Sequence, residues 1–265
     1  MRQPTIFLPH GGGPCFFMDW SWGPADTWER TRTFLEGLAG SLPAVPRALL
    51  VISGHWEEPV FTASTAAHPE LIFDYYGFPE ETYRLTWPAP GDAALAGRVV
   101  ELLRGAGLAA GTSASRGYDH GVFVPLKVAF PEAGIPVVTL SLASSLDPAL
   151  HLAAGRALAP LRDEGVLIVG SGMSWHNLRG YMRADTLFRS REFDAWLTGA
   201  VEAPVEERER LLRGWAEAPE ARFAHPREEH LIPLMVAAGA AEGDAGRRVF
   251  TDAPMQAVIS AYRFG

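Results

Sequence analysis

Short, almost wholly apolar runs alternate along this chain with stretches in which apolar residues recur every three or four positions. Residues 5–8, 47–53 (RALLVIS), 135–142 (IPVVTLSL) and 166–170 (VLIVG) are runs of the first kind. Such runs predict strands of a sheet covered on both faces. The second kind predicts helices. Residues 25–38 carry Trp28, Thr31, Phe34, Leu35 and Leu38 at helical spacing, and 92–105 open on Asp92, a good N-cap, ahead of Leu95, Val99, Leu102 and Leu103. Residues 147–161 begin with Asp-Pro, another helix start. Further helices are expected near 190–198, 205–217 and 231–240, short strands at 61–65 and 82–87, and a closing strand at 257–264. No repeat, low-complexity tract or linker interrupts the alternation. It predicts one α/β domain over residues 1–265, with a central, largely parallel or mixed sheet flanked by helices. In such folds ligands bind at the carboxyl edge of the strands.

Five histidines stand in short islands flanked by Gly, Trp or Pro: LPHGGGP around His10, SGHWE around His55, YDHG around His120, SGMSWHNL around His176 and EEHLIPL around His230. His10, His55 and His176 each follow a predicted strand, which places them at the edge where ligands bind. His10 precedes three glycines, which allow close approach of a ligand. Gly-Gly-Gly without a following Lys-Ser/Thr is a poor phosphate loop, so a metal-ligand role is the better reading of His10. His55 reads as a ligand beside it; Glu57 or Glu58 is able to orient a ring nitrogen, but a solvated pair is the plainer expectation. His176, in a polar loop after an apolar strand, reads as a ligand or an acid/base group. His230 falls at a helix start because Pro233 suits a first turn. The adjacent Glu228 and Glu229 suit the helix dipole, and Glu229 is a rival metal carboxylate. His120 reads as a substrate-binding or proton-shuttling imidazole, or as half of a loop-stabilising pair with Asp119. His68 and His225 sit beside a proline and His151 in helical sequence, with nothing else special around them, and they read as ordinary surface or core residues. Cys15 is either a thiolate ligand near His10 or, more simply, a small buried apolar residue.

Composition narrows the function classes. The net charge of −8 and a pI near 5.5 argue against nucleic acid as the partner. Lys127 is the one lysine, which disfavours Schiff-base chemistry. The single cysteine allows no internal disulfide and fits a reducing compartment. The N-terminal stretch does not read as a signal peptide and no apolar segment reaches spanning length, so a cytoplasmic protein with no membrane contact is expected. A chain of 265 residues buries a core without a structural metal, so a metal here would serve chemistry.

Taken in order and spacing, SGHW, YDHGVFVPLKVAFPEAGIPVVTLSL, SGMSWHNLRG and EEHLIPLMVAAGAA resemble the class III extradiol ring-cleavage dioxygenases, in the DOPA 4,5-dioxygenase-like branch. The likeness runs nearly end to end. It implies that His10, His55 and His230 match metal ligands, that His176 matches a further ligand or the acid/base group, and that His120 matches a second active-site histidine near the substrate. HGGGPCFF stands where many relatives read HGSP, a difference that bears on substrate preference more than on metal binding. Better-known members of the wider class use two histidines and a glutamate, whereas the third position here looks like His230. Two histidines and a carboxylate suit non-haem Fe(II), and three histidines equally suit Zn²⁺. The resemblance therefore implies one divalent ion per chain, Fe(II) or Zn(II), and cleavage of a catechol-type aromatic with O₂. Trp56, Tyr75, Tyr76, Phe123 and Trp175 are candidate walls for such a substrate, though core packing explains most of them as well. A zinc hydrolase built on the same histidines and a non-catalytic interaction protein are the competing readings.

Overall fold

A computed structural model describes residues 1–265. Eight strands form one mixed sheet: β1 (Thr5–Pro9), β2 (Ala48–Glu58), β3 (Phe61–Ser64), β4 (Ala110–Ser113), β5 (Val137–Ala143), β6 (Val166–Gly172), β7 (Gly246–Asp252) and β8 (Ile259–Phe264), in the order β4-β3-β5-β2-β6-β1-β8-β7. The centre is parallel: β5 with β2, β2 with β6, and β6 with β1. On either side β3–β5, β1–β8 and β7–β8 are antiparallel, and the edge pair β3–β4 is parallel. Leu49–Ile52 in β2 and Val166–Val169 in β6 are fully buried, which explains their unbroken apolar runs.

Nine helices accompany the sheet: α1 (Glu29–Glu36), α2 (Ala93–Gly105), α3 (His120–Ala129), α4 (Pro148–Leu158), α5 (Pro160–Asp163), α6 (Thr186–Glu202), α7 (Val205–Arg213), α8 (Ala221–Ala224) and α9 (Ile232–Gly239). Asp92 caps α2 by accepting the Leu95 N–H at 2.9 Å, and Asp147 caps α4 through the Ala149 N–H at 2.8 Å. No helix is long and apolar enough to cross a membrane.

Several elements differ from the sequence expectation for physical reasons. Residues 82–87 are not a strand, because Glu80–Arg84 coils into a 3₁₀ turn closed by the Thr82 hydroxyl on Pro79 O. The helix expected over 147–161 breaks at Ala159, where Pro160 has no N–H to continue the ladder. Helix α1 begins only at Glu29. His120 lies not in a loop but in the first turn of α3, a helix the periodicity did not reveal. The edge strands β4 and β7 were also unforeseen. Strand β2 runs past the expected end at Ser53 to Glu58, and its register with β5 shifts between Ile52 and Glu57. His55 sits inside that irregularity, of the kind that re-aims side chains next to sites.

Candidate metal centre

The carboxyl ends of the adjacent parallel strands β2, β6 and β1 bring distant segments together. His10 follows β1, and its N–H donates to Gly172 O at 3.1 Å. Gly11 then takes a φ of 89°, a left-handed conformation open to glycine, and its carbonyl accepts from His10 Nδ1 at 2.9 Å. His230 reaches the same edge because the start of α9 lies directly on the backbone of β6. A Cβ on Gly172 would fall 2.1 Å from the His230 carbonyl oxygen, and one on Gly170 2.4 Å from that of Pro233. The Met173 N–H donates to His230 O at 3.0 Å and ties the two segments.

His55 Nε2 lies 3.3 Å from His10 Nε2 and 3.1 Å from His230 Nε2. One nitrogen from each of the three rings falls within 4.8 Å of the others. Metal–imidazole bonds of about 2.0–2.1 Å put two ligand nitrogens roughly 2.8–3.4 Å apart across angles of about 90–110°. The tautomers agree with that spacing. His10 Nδ1–H donates to a carbonyl and His230 Nδ1–H to Glu229 Oε1 at 2.9 Å, so both Nε2 atoms present lone pairs toward His55. Converging lone pairs repel, and a cation between them removes the repulsion. Burial, reinforced by the neighbouring imidazoles, drives His10 and His230 well below the ordinary histidine value. Burial and the adjacent His120 push His55 down to about 3. All three are thus neutral at pH 7, the form in which imidazole binds a metal. The set fits a divalent ion.

Two more histidines flank this triad. His120 has its ring 4.0 Å from that of His55. Asp74 Oδ1 accepts from both the His120 backbone N–H, at 3.0 Å, and its Nδ1–H, at 2.7 Å, while Oδ2 lies 3.7 Å from His55 Nδ1. Burial works against ionisation of Asp74, but the bond from His120 and the fields of both imidazoles outweigh it and hold the carboxyl at about 2. His176 stacks on His230 with ring centroids 3.4 Å apart, and its Nδ1 lies 3.5 Å from Glu229 Oε1. Burial opposes ionisation of Glu229 too, yet contact with His176 and the field of Arg227 keep it below its usual range. The donor sets are therefore His10–His55–His230, His55–Asp74–His120 and His176–Glu229–His230. No one set holds His176 or Glu229 together with His10 and His55.

The other candidates fall elsewhere. Glu57 holds Arg227 through two contacts of 2.6 Å, and Glu58 accepts from Trp56 Nε1. Cys15 is buried, takes the Gly12 N–H on its sulfur at 3.3 Å, and has its thiol pushed up by burial. His68 is exposed. His151 is a core residue whose Nε2 accepts the Ala143 N–H. His225 lies under the His176 loop and donates from Nε2 to Ser174 O at 3.0 Å.

A cavity of about 530 Å³ opens over His10, His55, His120 and His176. Tyr75 and Tyr76 line it as the sequence suggested, whereas Trp56, Phe123 and Trp175 do not. Trp20, Trp22, Phe78 and Tyr181 do, and went unforeseen along with Asp74. The only signal for Asp74 was its place beside Tyr75-Tyr76 in an aromatic loop.

Known proteins are similar to this chain along most or all of its length. The family model described as the catalytic LigB subunit of aromatic ring-opening dioxygenase matches residues 4–265. The chain is 38% identical over 287 residues to Dioxygenase tasH of Hapsidospora irregularis, with 99% of this chain and 85% of that protein covered. It is 39% identical to a 4,5-DOPA dioxygenase extradiol of Beta vulgaris, covering 90% and 87%, and 33% identical to one of Escherichia coli K12, covering 91% and 86%. A crystal structure of an uncharacterized Escherichia coli K12 protein superposes with a TM-score of 0.76 at 28% identity, covering both chains fully. A histidine-rich cavity at the sheet edge, on a chain matched throughout its length, makes this protein an aromatic ring-opening dioxygenase of the LigB family.

Proposed function

We propose that the protein is an extradiol catechol dioxygenase that holds one Fe(II) through His10, His55 and His230. The observation that carries this reading is the meeting of three neutral imidazoles, at Nε2–Nε2 separations of 3.1 and 3.3 Å, beside an aromatic cavity. When bound, the ion supplies Lewis-acid activation of the catechol hydroxyls and a position for O₂. The protein's own groups handle the protons. His120 commits its Nδ1–H to Asp74, which leaves Nε2 free to accept a catechol proton. His176, on the opposite flank against His230, holds a proton for the oxygen as the ring opens. Both atoms of O₂ enter the product, a muconic semialdehyde-type acid, and the ring supplies the electrons, so no external reductant is required.

The test is metal removal followed by anaerobic reconstitution with Fe(II) or Zn²⁺. The iron form is expected to consume oxygen in step with catechol and to generate the absorbance of a conjugated semialdehyde, while the zinc form does neither. His55→Ala is expected to lose bound metal. Metal-dependent hydrolysis by the zinc form, without oxygen uptake by the iron form, replaces this reading with that of a hydrolase.

A further inference from the structure

The cavity is chemically two-sided. Its floor is imidazole, and no Asp, Glu, Lys or Arg belongs to its lining. Trp22 joins Trp20 on one side and Phe78 on the other, each at a ring-centroid distance of 5.1 Å, and Tyr75 meets Phe78 at 5.4 Å. The result is a continuous aromatic shelf. At the mouth, Trp22, Tyr76 and Leu178 are 52%, 90% and 70% exposed, so much of their apolar surface faces water. The Tyr75 hydroxyl is committed to Thr82 O at 2.7 Å. Nearby cations are also committed: Arg116 to Asp119 and the His55 carbonyl, Arg227 to Glu57. Arg179, exposed and next to Leu178 in sequence, is not part of the lining.

A volume of about 530 Å³ lies within the range of roughly 300–1,000 Å³ that takes drug-sized ligands. A bare catechol on the imidazole floor therefore leaves the shelf unfilled. A carboxylate or ammonium placed there finds no counter-charge in the lining, whereas an apolar group covers aromatic surface that otherwise faces water. We propose that the substrate is a catechol carrying an uncharged hydrophobic substituent, aryl or branched alkyl, that lies against Trp22, Phe78 and Tyr76, and not a catechol amino acid. This assignment rests on the extradiol reading above.

The experiment compares 4-phenylcatechol with 3-(3,4-dihydroxyphenyl)propanoate and L-DOPA on the iron-loaded enzyme. Binding is measured by anaerobic titration calorimetry, where no turnover occurs, and kcat/KM is then measured in air. The neutral compound is expected to bind about tenfold tighter or better and to lead in kcat/KM by a similar factor, carried mainly by KM. Trp22→Ala and Tyr76→Ala are expected to weaken 4-phenylcatechol by about tenfold and catechol itself by much less. Arg179→Ala is expected to leave the ranking intact. Equal or tighter binding of the carboxylates overturns the inference and leaves ring cleavage standing, and loss of that preference in Arg179→Ala would name the cation responsible. Failure of the iron enzyme to bind or cleave any of the compounds overturns the inference and the extradiol reading together.

Discussion

An imidazole accepts a proton at a chosen atom only when its other nitrogen is already committed. Asp74 does this for His120, holding both its Nδ1–H and its backbone N–H, and the carboxyl stays ionised because its pKa is held at about 2. His120→Gln is expected to lower kcat by about 10²–10⁴-fold with metal content retained. Asp74→Asn is expected to cost roughly 10–100-fold, since the amide keeps the shape but loses the charge that stabilises an imidazolium. Steady-state kinetics with metal analysis on the same samples checks both. Near-normal turnover by His120→Gln would shift the proton acceptor to His176. His10, His55 and His176 were legible because each follows an apolar strand run and stands among glycine or tryptophan, a setting that the buried His151 and His225 lack. Asp74 was not, because its partner lies 46 positions away and nothing local marks an acid in an aromatic loop.

At the scale of elements, α3 shows why pattern alone stopped short. Pro125 lies inside it and cannot donate to Gly121 O, the carbonyl one turn back. That carbonyl instead accepts the hydroxyl of Ser171 from β6. A sequence containing Gly121 and Pro125 argues against a helix, and the bond that rescues it comes from 50 residues away. The same bond fastens the turn bearing His120 to the strand that leads into His176. Ser171→Ala leaves a buried carbonyl unpaired and is expected to cost about 1–3 kcal/mol in chemical denaturation, with a loss of kcat as His120 loosens. Unchanged stability would mean that another group takes the carbonyl. Gly172→Ala attacks the other junction, because its Cβ would meet the His230 carbonyl at 2.1 Å. Overpacking of that kind is expected to cost about 1–3 kcal/mol and to weaken metal retention in dialysis against a chelator. The central strands were readable because burial on both faces makes them uniformly apolar. The edge strands β4 and β7 were not, since their residues are mixed. The alternation at 82–87 was overridden by the turn that follows Pro79.

Across the whole molecule, the fold keeps several imidazoles neutral inside it. Besides the metal triad, burial holds His151 at about 4 and His225 at about 3. His151 is fixed as neutral by two bonds, accepting the Ala143 N–H at Nε2 and donating from Nδ1 to Asp147 O at 2.7 Å. In the unfolded chain both titrate near 6.5. Above that pH neither state takes up a proton and the native state keeps its full stability. Below it the unfolded chain is protonated first, so stability falls as the pH drops from about 6.5 toward 4, by on the order of 1–3 kcal/mol for each such group. The depressed carboxyl of Asp74 acts at lower pH, its contribution being lost from about 4 down to 2. The metal-free protein is therefore expected to show a Tm that is flat from pH 8 to 7 and declines steadily from 6.5 to 4.5. His151→Gln, whose amide oxygen can still accept the Ala143 N–H but does not titrate, is expected to show a shallower decline. Bound metal adds stability at neutral pH and steepens the acid limb, because the ion leaves as its ligands take up protons. A metal-free protein equally stable at pH 7 and 4.5 would mean that these imidazoles are not held neutral, and the triad would then lose its fitness for a cation along with them.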